Sequence, residues 1–178
     1  MAVFTEVTPA DAAALLTTLD LGELVELKGI TGGIENTNYF LTSARDGVER
    51  QHVLTLFERL SFEQLPFYLH LMQHLAARGI PVPDPVATPK GEILLKLKGK
   101  PAALVNRLRG HSELAPTAAH CAQVGAMLAK MHLAGRDYPR HQPNLRGLPW
   151  WNDTVPVVLP HVDSAQGQLL RSELAYQN

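Results

Sequence analysis

Thr31-Gly32-Gly33-Ile34-Glu35-Asn36 lies between two runs that read as strands, Leu24-Val25-Glu26-Leu27-Lys28-Gly29-Ile30 before it and Tyr39-Phe40-Leu41-Thr42 after it. Adjacent glycines carry no Cβ, so backbone N–H groups there can close around a phosphate oxygen. The same pair suits an ordinary hairpin turn equally well. It is not a Walker loop, since no Gly-Lys-Ser/Thr ending is present, nor a dinucleotide fingerprint, since a strand rather than a helix follows. What comes next narrows the fold. Arg45-Asp46-Gly47 supplies an Asp-Gly turn, and His52-Val53-Leu54-Thr55-Leu56-Phe57-Glu58 is rich in strand formers, so three strands at hairpin spacing are predicted.

Upstream, Thr8-Pro9 followed by Asp11 marks a helix start, and Leu15, Leu16 and Leu19 give it an apolar face that Gly22 ends. Downstream, residues 61–78 are predicted as a helix. Ser61-Phe62-Glu63-Gln64 has the form of a capping box, and Phe62, Leu65, Leu69, Met72 and Ala76 recur every three or four residues. Pro66 either kinks the first turns or moves the true start toward itself. Gly79 stops the helix, and Ile80-Pro81-Val82-Pro83-Asp84-Pro85 forms a stiff, extended connector. Two more strands are expected over residues 92–97 and 102–108, around Gly99-Lys100-Pro101. Ala115-Pro116-Thr117 then opens a helix whose Cys121, Val124, Leu128 and Met131 make one apolar stripe, closed by Gly135. Residues 138–160 read as irregular and 163–178 as helical. Five strands in one small sheet with a helical half is an α+β pattern.

The composition bounds the function. With 178 residues and 19.5 kDa the chain can bury a real core, and 46% hydrophobic residues make it globular. Its 16 basic and 17 acidic residues balance to a net charge of −1, which offers no electrostatic footprint for nucleic acid or an acidic membrane. One cysteine, Cys121, excludes an internal disulfide framework. The first basic residue is Lys28, so no secretory signal is expected, and no apolar run reaches membrane-spanning length. A soluble, cytoplasmic protein is the expectation, with neither nucleic acid nor membrane as partner.

A glycine-rich turn between the first two strands, a third strand, one helix, two further strands and then helices is also the order of the small nucleotide-binding lobe of protein-kinase-like folds. There the loop covers ATP phosphates, and a third-strand lysine holds them while pairing with a helix glutamate. Glu63 is either that glutamate or a solvated acid of the capping turn. Thr55 stands where the lysine does. Asn106 and Arg107 fall beside the adenine by position, or form the polar exit of a strand at Arg109-Gly110.

Several longer segments carry a family resemblance. Gly32-Gly33-Ile34-Glu35-Asn36-Thr37-Asn38-Tyr39-Phe40, Val53-Leu54-Thr55-Leu56-Phe57-Glu58, Leu65-Pro66-Phe67-Tyr68-Leu69 and Gly79-Ile80-Pro81-Val82-Pro83 closely resemble bacterial homoserine kinases of the aminoglycoside-phosphotransferase-like type. So do Val124-Gly125-Ala126-Met127-Leu128-Ala129-Lys130-Met131-His132 and Asn144-Leu145-Arg146-Gly147-Leu148-Pro149-Trp150-Trp151. The resemblance implies a protein-kinase-like α+β fold: a five-stranded antiparallel ATP-binding lobe over residues 1–109 and the start of a helical substrate lobe over 110–178. It implies ATP-dependent phosphorylation of the L-homoserine hydroxyl on the route to threonine, with ATP and Mg2+ as cofactors. Nucleotide contacts are then expected from Gly32, Gly33, Ile34, Asn36, Thr55, Asn106 and Arg107, with Lys28 or Arg59 as alternative sources of phosphate-binding charge. By their own setting, His132 reads as a core histidine and the adjacent tryptophans as packing.

The family's catalytic element is a His-x-Asp with an Asn five residues after the Asp and a later metal-binding Asp. His161-Val162-Asp163 imitates it, but position 168 is Gln, Ser164-Ala165-Gln166 lacks the usual apolar residue, and the one acid beyond Asp163 is Glu173. No catalytic or metal-ligating residue is therefore expected within this sequence, which looks cut before the catalytic loop and inactive by itself. Two other readings stay open: a nucleotide-binding pseudokinase or interaction module, and an α+β ligand-binding domain without phosphoryl chemistry.

Overall fold

Asp46 and Gly47 both hold positive φ, 53° and 78°, which is what a two-residue type I′ hairpin demands. In the computed structural model, which describes residues 4–178, they join β2 (Asn36–Arg45) to β3 (Val48–Phe57) in unbroken register from Asn36↔Phe57 to Arg45↔Val48. A second turn of the same kind, Lys98 and Gly99 at 52° and 79°, joins β4 (Leu95–Leu97) to β5 (Lys100–Asn106). It starts the fifth strand earlier than the sequence pattern suggests, at Lys100, while the fourth begins later, at Leu95. With β1 (Glu23–Gly29) these make one antiparallel sheet in the order β1-β2-β3-β5-β4. Gly22 enters β1 at φ +85°, where a Cβ would stand 2.2 Å from the Ala44 carbonyl oxygen.

Helix α1 (Pro9–Leu19) begins as expected. The Thr8 hydroxyl accepts the Asp11 N–H while the Asp11 carboxylate accepts the Thr8 N–H at 2.9 Å. Lys98, 2.8 Å away, and then Thr8 hold that carboxyl down at about 2. Ala12, Leu15, Leu16 and Leu19 of α1 pack on Tyr39, Leu41, Leu54, Leu56 and Leu104. This is the core, and burying each such leucine stabilises the fold by roughly 1.5–3 kcal/mol.

Helix α2 (Leu65–Ala76) covers part of the opposite face, with Leu69 and Met72 against Ala103 and Phe57. It starts at Leu65 rather than Ser61 because Pro66 occupies its first turn, where a missing N–H costs nothing. Half of the predicted capping box survives: the Ser61 N–H donates to Gln64 Oε1. Glu63 is consequently exposed in the turn before the helix, its carboxyl lowered by a hydrogen bond from Ser61. It is a solvated acid of that turn, off the helix.

Helix α3 (Ala118–Ala134) is capped by Thr117 and ends at Gly135. Among the described residues nothing covers its apolar stripe: no residue of α3 is buried, Val124 is 67% exposed, and His132 is exposed. Its C-terminal end meets α2: His74 Nε2 lies 3.0 Å from the Ala134 carbonyl oxygen. Just beyond the helix, Tyr138 donates its hydroxyl proton to the Phe67 carbonyl at 2.6 Å, and Arg78 pairs with Asp137.

The described chain forms two compact units, one running to Arg140 and the other His141–Asn178. The second holds α4 (Leu148–Val158), a 3-10 turn (Leu159–His161) and α5 (Ser164–Gln177). Residues 138–160 are thus partly helical, contrary to the irregular reading. Pro149 sits in the first turn of α4 and Pro156 close to its end, so two prolines that look like breakers frame the helix. Asp163 caps α5 by accepting the Gln166 N–H at 2.8 Å.

Leu54 is fully buried at the centre of β3, so Leu54→Ala is expected to lower the unfolding free energy by about 2–5 kcal/mol in a denaturant titration. His52 is buried as well. Its Nε2 lies 3.3 Å from Ser43 Oγ, its Nδ1 has no hydrogen-bond partner, and burial, then the Arg50 charge, push its pKa down. The unfolded chain therefore takes up the proton more readily. Stability is complete above the unfolded pKa of about 6.5 and declines as pH falls below it. Melting temperature should drop between pH 7.5 and 5.5, and His52→Gln should flatten that part of the dependence.

Candidate functional site

Strand alternation gives the sheet two different faces. β2 turns Thr37, Tyr39 and Leu41 toward the α1 side and Asn36, Asn38 and Phe40 to the other. β3 presents Val53, Thr55 and Phe57 on that second face, and β5 presents Ala103 and Val105. With Leu69 and Met72 of α2, Pro83 of the connector and the chain leaving β5, these residues line an open cleft of about 550 Å³. Most of its wall is apolar. Three polar residues of the sheet, Asn36, Asn38 and Thr55, gather at the end where the glycine loop leaves β1.

At that end Thr55, directly opposite Asn38 in register, donates its hydroxyl proton to Asn38 Oδ1 at 2.7 Å. The Asn38 amide in turn reaches the Asn36 carbonyl at 3.5 Å. Thr55 is thus a neutral partner of β2 where a kinase-like fold often has a cation. Lys28 faces Phe40 across the β1–β2 ladder, so it stands on the cleft side of the sheet, exposed, whereas Arg59 lies in the turn after β3.

At the other end Asn106 makes a two-point clamp. Its N–H donates to the Asp84 carbonyl at 3.1 Å, and its side-chain Oδ1 accepts the Asp84 N–H. The Val86 N–H then donates to the Leu104 carbonyl at 2.8 Å, so the proline-rich connector runs along β5 and closes the cleft wall. Arg107 lays its guanidinium over the Phe40 ring, 4.2 Å from the centroid, and gives its backbone N–H to Gln51. Such a cation–π contact at an exposed position contributes about 0.5–1 kcal/mol.

Of the residues singled out from sequence, the cleft brings together Asn36, Thr55, Asn106 and Arg107. Gly32, Gly33 and Ile34 sit in the loop between β1 and β2, beyond the cleft lining. Gly33 holds φ +133°, which favours glycine, while Gly32 has open space around it and Ile34 is 86% exposed. Sequence reasoning missed Asn38, Phe40, Val53 and Val105 as lining residues. The two-residue period from Asn36 and Thr55 was the available signal. Among the described residues no group of three or more His, Cys, Asp or Glu is placed to hold a metal ion, and no helix is long and apolar enough to cross a membrane.

An antiparallel five-stranded sheet with a cleft on one face, a glycine loop at its mouth and helices after its last strand is a kinase-like α+β fold. Residues 26–178 match the phosphotransferase enzyme family, and the chain belongs to that family. It is 69% identical over 178 residues to a homoserine kinase of Polaromonas naphthalenivorans, covering all of this chain and 55% of the relative. It is 61% identical over 177 residues to one of Cupriavidus necator, covering 99% and 54%. The chain thus spans about half the length of these curated relatives. Among solved structures, a spectinomycin phosphotransferase in complex with ADP and spectinomycin superposes with a TM-score of 0.65 at 15% identity, over 89% of this chain and 48% of that one. An amicoumacin kinase in complex with AMP-PNP, Ca2+ and Ami does so with a TM-score of 0.57 at 15% identity, over 84% and 54%. These two likenesses concern the fold.

The Asn106 clamp has a direct test. Asn106→Ala removes the acceptor of the Asp84 N–H, so amide exchange at Asp84 and Val86 should accelerate, with a stability loss of about 1 kcal/mol.

Proposed function

We propose that the protein to which this sequence belongs is a homoserine kinase, transferring the γ-phosphoryl group of ATP to the side-chain hydroxyl of L-homoserine for threonine biosynthesis. In this reading residues 1–109 are its ATP-binding lobe and residues 110–178 the start of its substrate lobe. The observation that carries it is the cleft itself, apolar along most of its wall and polar beside the glycine loop, in a chain 69% identical along its whole length to a homoserine kinase.

The residues present suit a nucleotide. A cleft of about 550 Å³ falls within the roughly 300–1,000 Å³ of small-molecule sites. Val53, Ala103 and Val105 offer the flat apolar surface that a purine ring needs, and the chain leaving β5 at Asn106 and Arg107 offers backbone groups at its edge. Phosphates would lie toward Asn36, Asn38 and Thr55, under the N–H groups of Gly32, Gly33 and Ile34. The Thr55–Asn38 hydrogen bond sets the orientation of the Asn38 amide, leaving its N–H2 side toward the loop. A divalent cation, Mg2+ in this reading, neutralises phosphate charge in such sites. In this reading its ligands, and the base for the substrate hydroxyl, come from the part of the relatives' length that this chain does not span. The setting proposed is cytoplasmic, with small molecules as the binding partners.

A second reading, a nucleotide-binding module without phosphoryl transfer, is favoured by Thr55 in place of a lysine. One pair of measurements separates the two. The full-length protein should phosphorylate L-homoserine with ATP and Mg2+. Residues 1–178 alone should show no turnover yet be protected thermally by ATP, by about 2.7 kcal/mol at a hundredfold excess over Kd. Binding without turnover in the full-length protein would favour the second reading, and no binding in either form would remove both.

A further inference from the structure

Thr37 stands between two cleft residues, Asn36 and Asn38, and its side chain points to the opposite face of the sheet, where it is fully buried. Its hydroxyl is used to capacity. Oγ1 donates to Glu58 Oε1 at 2.6 Å and accepts the N–H groups of Phe4 at 2.9 Å and Thr5 at 3.1 Å. Glu58 Oε1 also accepts the Thr5 hydroxyl at 2.8 Å, and Oε2 is ion-paired with Lys100. Lys100 closes the ring by donating to Thr5 Oγ1 at 2.7 Å. Burial pushes the Glu58 carboxyl up, but the hydrogen bonds from Lys100, Thr37 and Thr5 together outweigh it and hold the group below its ordinary range.

The four residues come from the segment before α1, the start of β2, the turn just after β3 and the start of β5. In this antiparallel sheet those strand ends lie together, at the edge from which the glycine loop emerges. Thr37 is fully buried, while Glu58 is largely covered and Lys100 reaches the surface, 37% exposed. A polar network whose members are all partnered rigidifies its surroundings.

We infer that the Thr5–Thr37–Glu58–Lys100 network is a positioning device for the glycine loop, holding Asn36, Asn38 and the N–H groups of residues 31–35 in phosphate-binding geometry from the face of the sheet that the nucleotide does not touch. The inference rests on the nucleotide reading of the cleft and assigns these four residues to it without contact. Glu58 and Lys100 set affinity for the phosphate portion of the ligand, and the segment before α1 becomes part of the same device.

The test uses the full-length protein. Thr37→Val keeps the shape and strand preference of the side chain but removes the hydroxyl, whereas Thr37→Ser retains it. Two quantities are read at a temperature where both variants are folded: amide exchange of residues 31–36 and the dissociation constant of AMP-PNP. Thr37→Val should speed that exchange and weaken AMP-PNP by about tenfold, the equivalent of one hydrogen bond to a charged group, and Thr37→Ser should restore both. A lower melting temperature with unchanged exchange in 31–36 and unchanged affinity would overturn the inference, because it would mark the network as scaffold alone. Should Thr37→Val fail to fold, Lys100→Met against Lys100→Arg makes the same comparison at a side chain that is 37% exposed. If the wild-type protein does not bind AMP-PNP, the nucleotide reading falls, and the exchange data alone still decide whether the network orders the loop.

Discussion

Five consecutive residues at the start of β2, Asn36 to Phe40, alternate between two environments, and the rest of the fold follows from that constraint. Thr37 and Tyr39 are buried on the α1 side, while Asn36, Asn38 and Phe40 line the cleft. Because the side-chain period of a strand is two, a one-residue slip would drive three cleft side chains into the leucine core and expose the buried set. The Asp46-Gly47 hairpin fixes the register of β2 on β3, and the Lys98-Gly99 hairpin does the same for β4 on β5. Two turns of the same type therefore decide which residues are core and which are site. The packing of α1 on one face then leaves the other free to be hollow.

That division also sorts the charges. A cleft built for an anionic ligand would ordinarily carry a cation on its third strand, and here that position is Thr55, bonded to Asn38. The nearest strongly held cation of the sheet, Lys100, is on the opposite side and committed to Glu58. Arg107 is cationic at the cleft but rests on the Phe40 ring. Among the lining residues Arg107 is the one charged side chain, so the end beside the glycine loop is neutral and hydrogen-bonding, with Lys28 on the same face of the sheet but outside the lining. Recognition of phosphate by such a surface depends on N–H dipoles set in place beforehand, which makes the rigidity of the loop matter more than it would beside a lysine.

The parts of this arrangement that were legible in the sequence are those with short-range signatures. Thr8-Pro9-x-Asp11, Asp46-Gly47 and Thr117 specify helix starts and a hairpin through local hydrogen bonds and φ preferences, and each forms where its residues indicate. Proline was read correctly at Pro66, where a delayed helix start was one of two options, and wrongly in residues 138–160. There Pro149 and Pro156 tolerate a helix because one sits in its first turn and the other near its end. The α3 stripe has a real period, but periodicity says only that an apolar face exists: none of α3 is buried among the described residues, in a chain that spans about half the length of its relatives.

The site was half legible for a related reason. Thr55, Asn106 and Arg107 are polar residues of predicted strands and Asn36 closes the glycine-rich turn, so position in the chain was enough to nominate them. Their function is less uniform than the nomination suggests. Asn106 spends its side-chain oxygen and its backbone N–H on Asp84, which makes it the fastening of the cleft wall. Asn38 holds Thr55 and is the more direct polar group of the pair toward the loop. Telling these roles apart requires knowing which strand edge the connector pairs with, and that pairing is a contact between Asp84 and Asn106, 22 residues apart. No local pattern encodes it, since residues 80–85 read as an extended segment wherever they are laid. The glycine loop is the converse case: its composition is conspicuous, yet the Thr37–Glu58 hydrogen bond behind the strand end that follows it joins residues 21 apart, and no local pattern signals it.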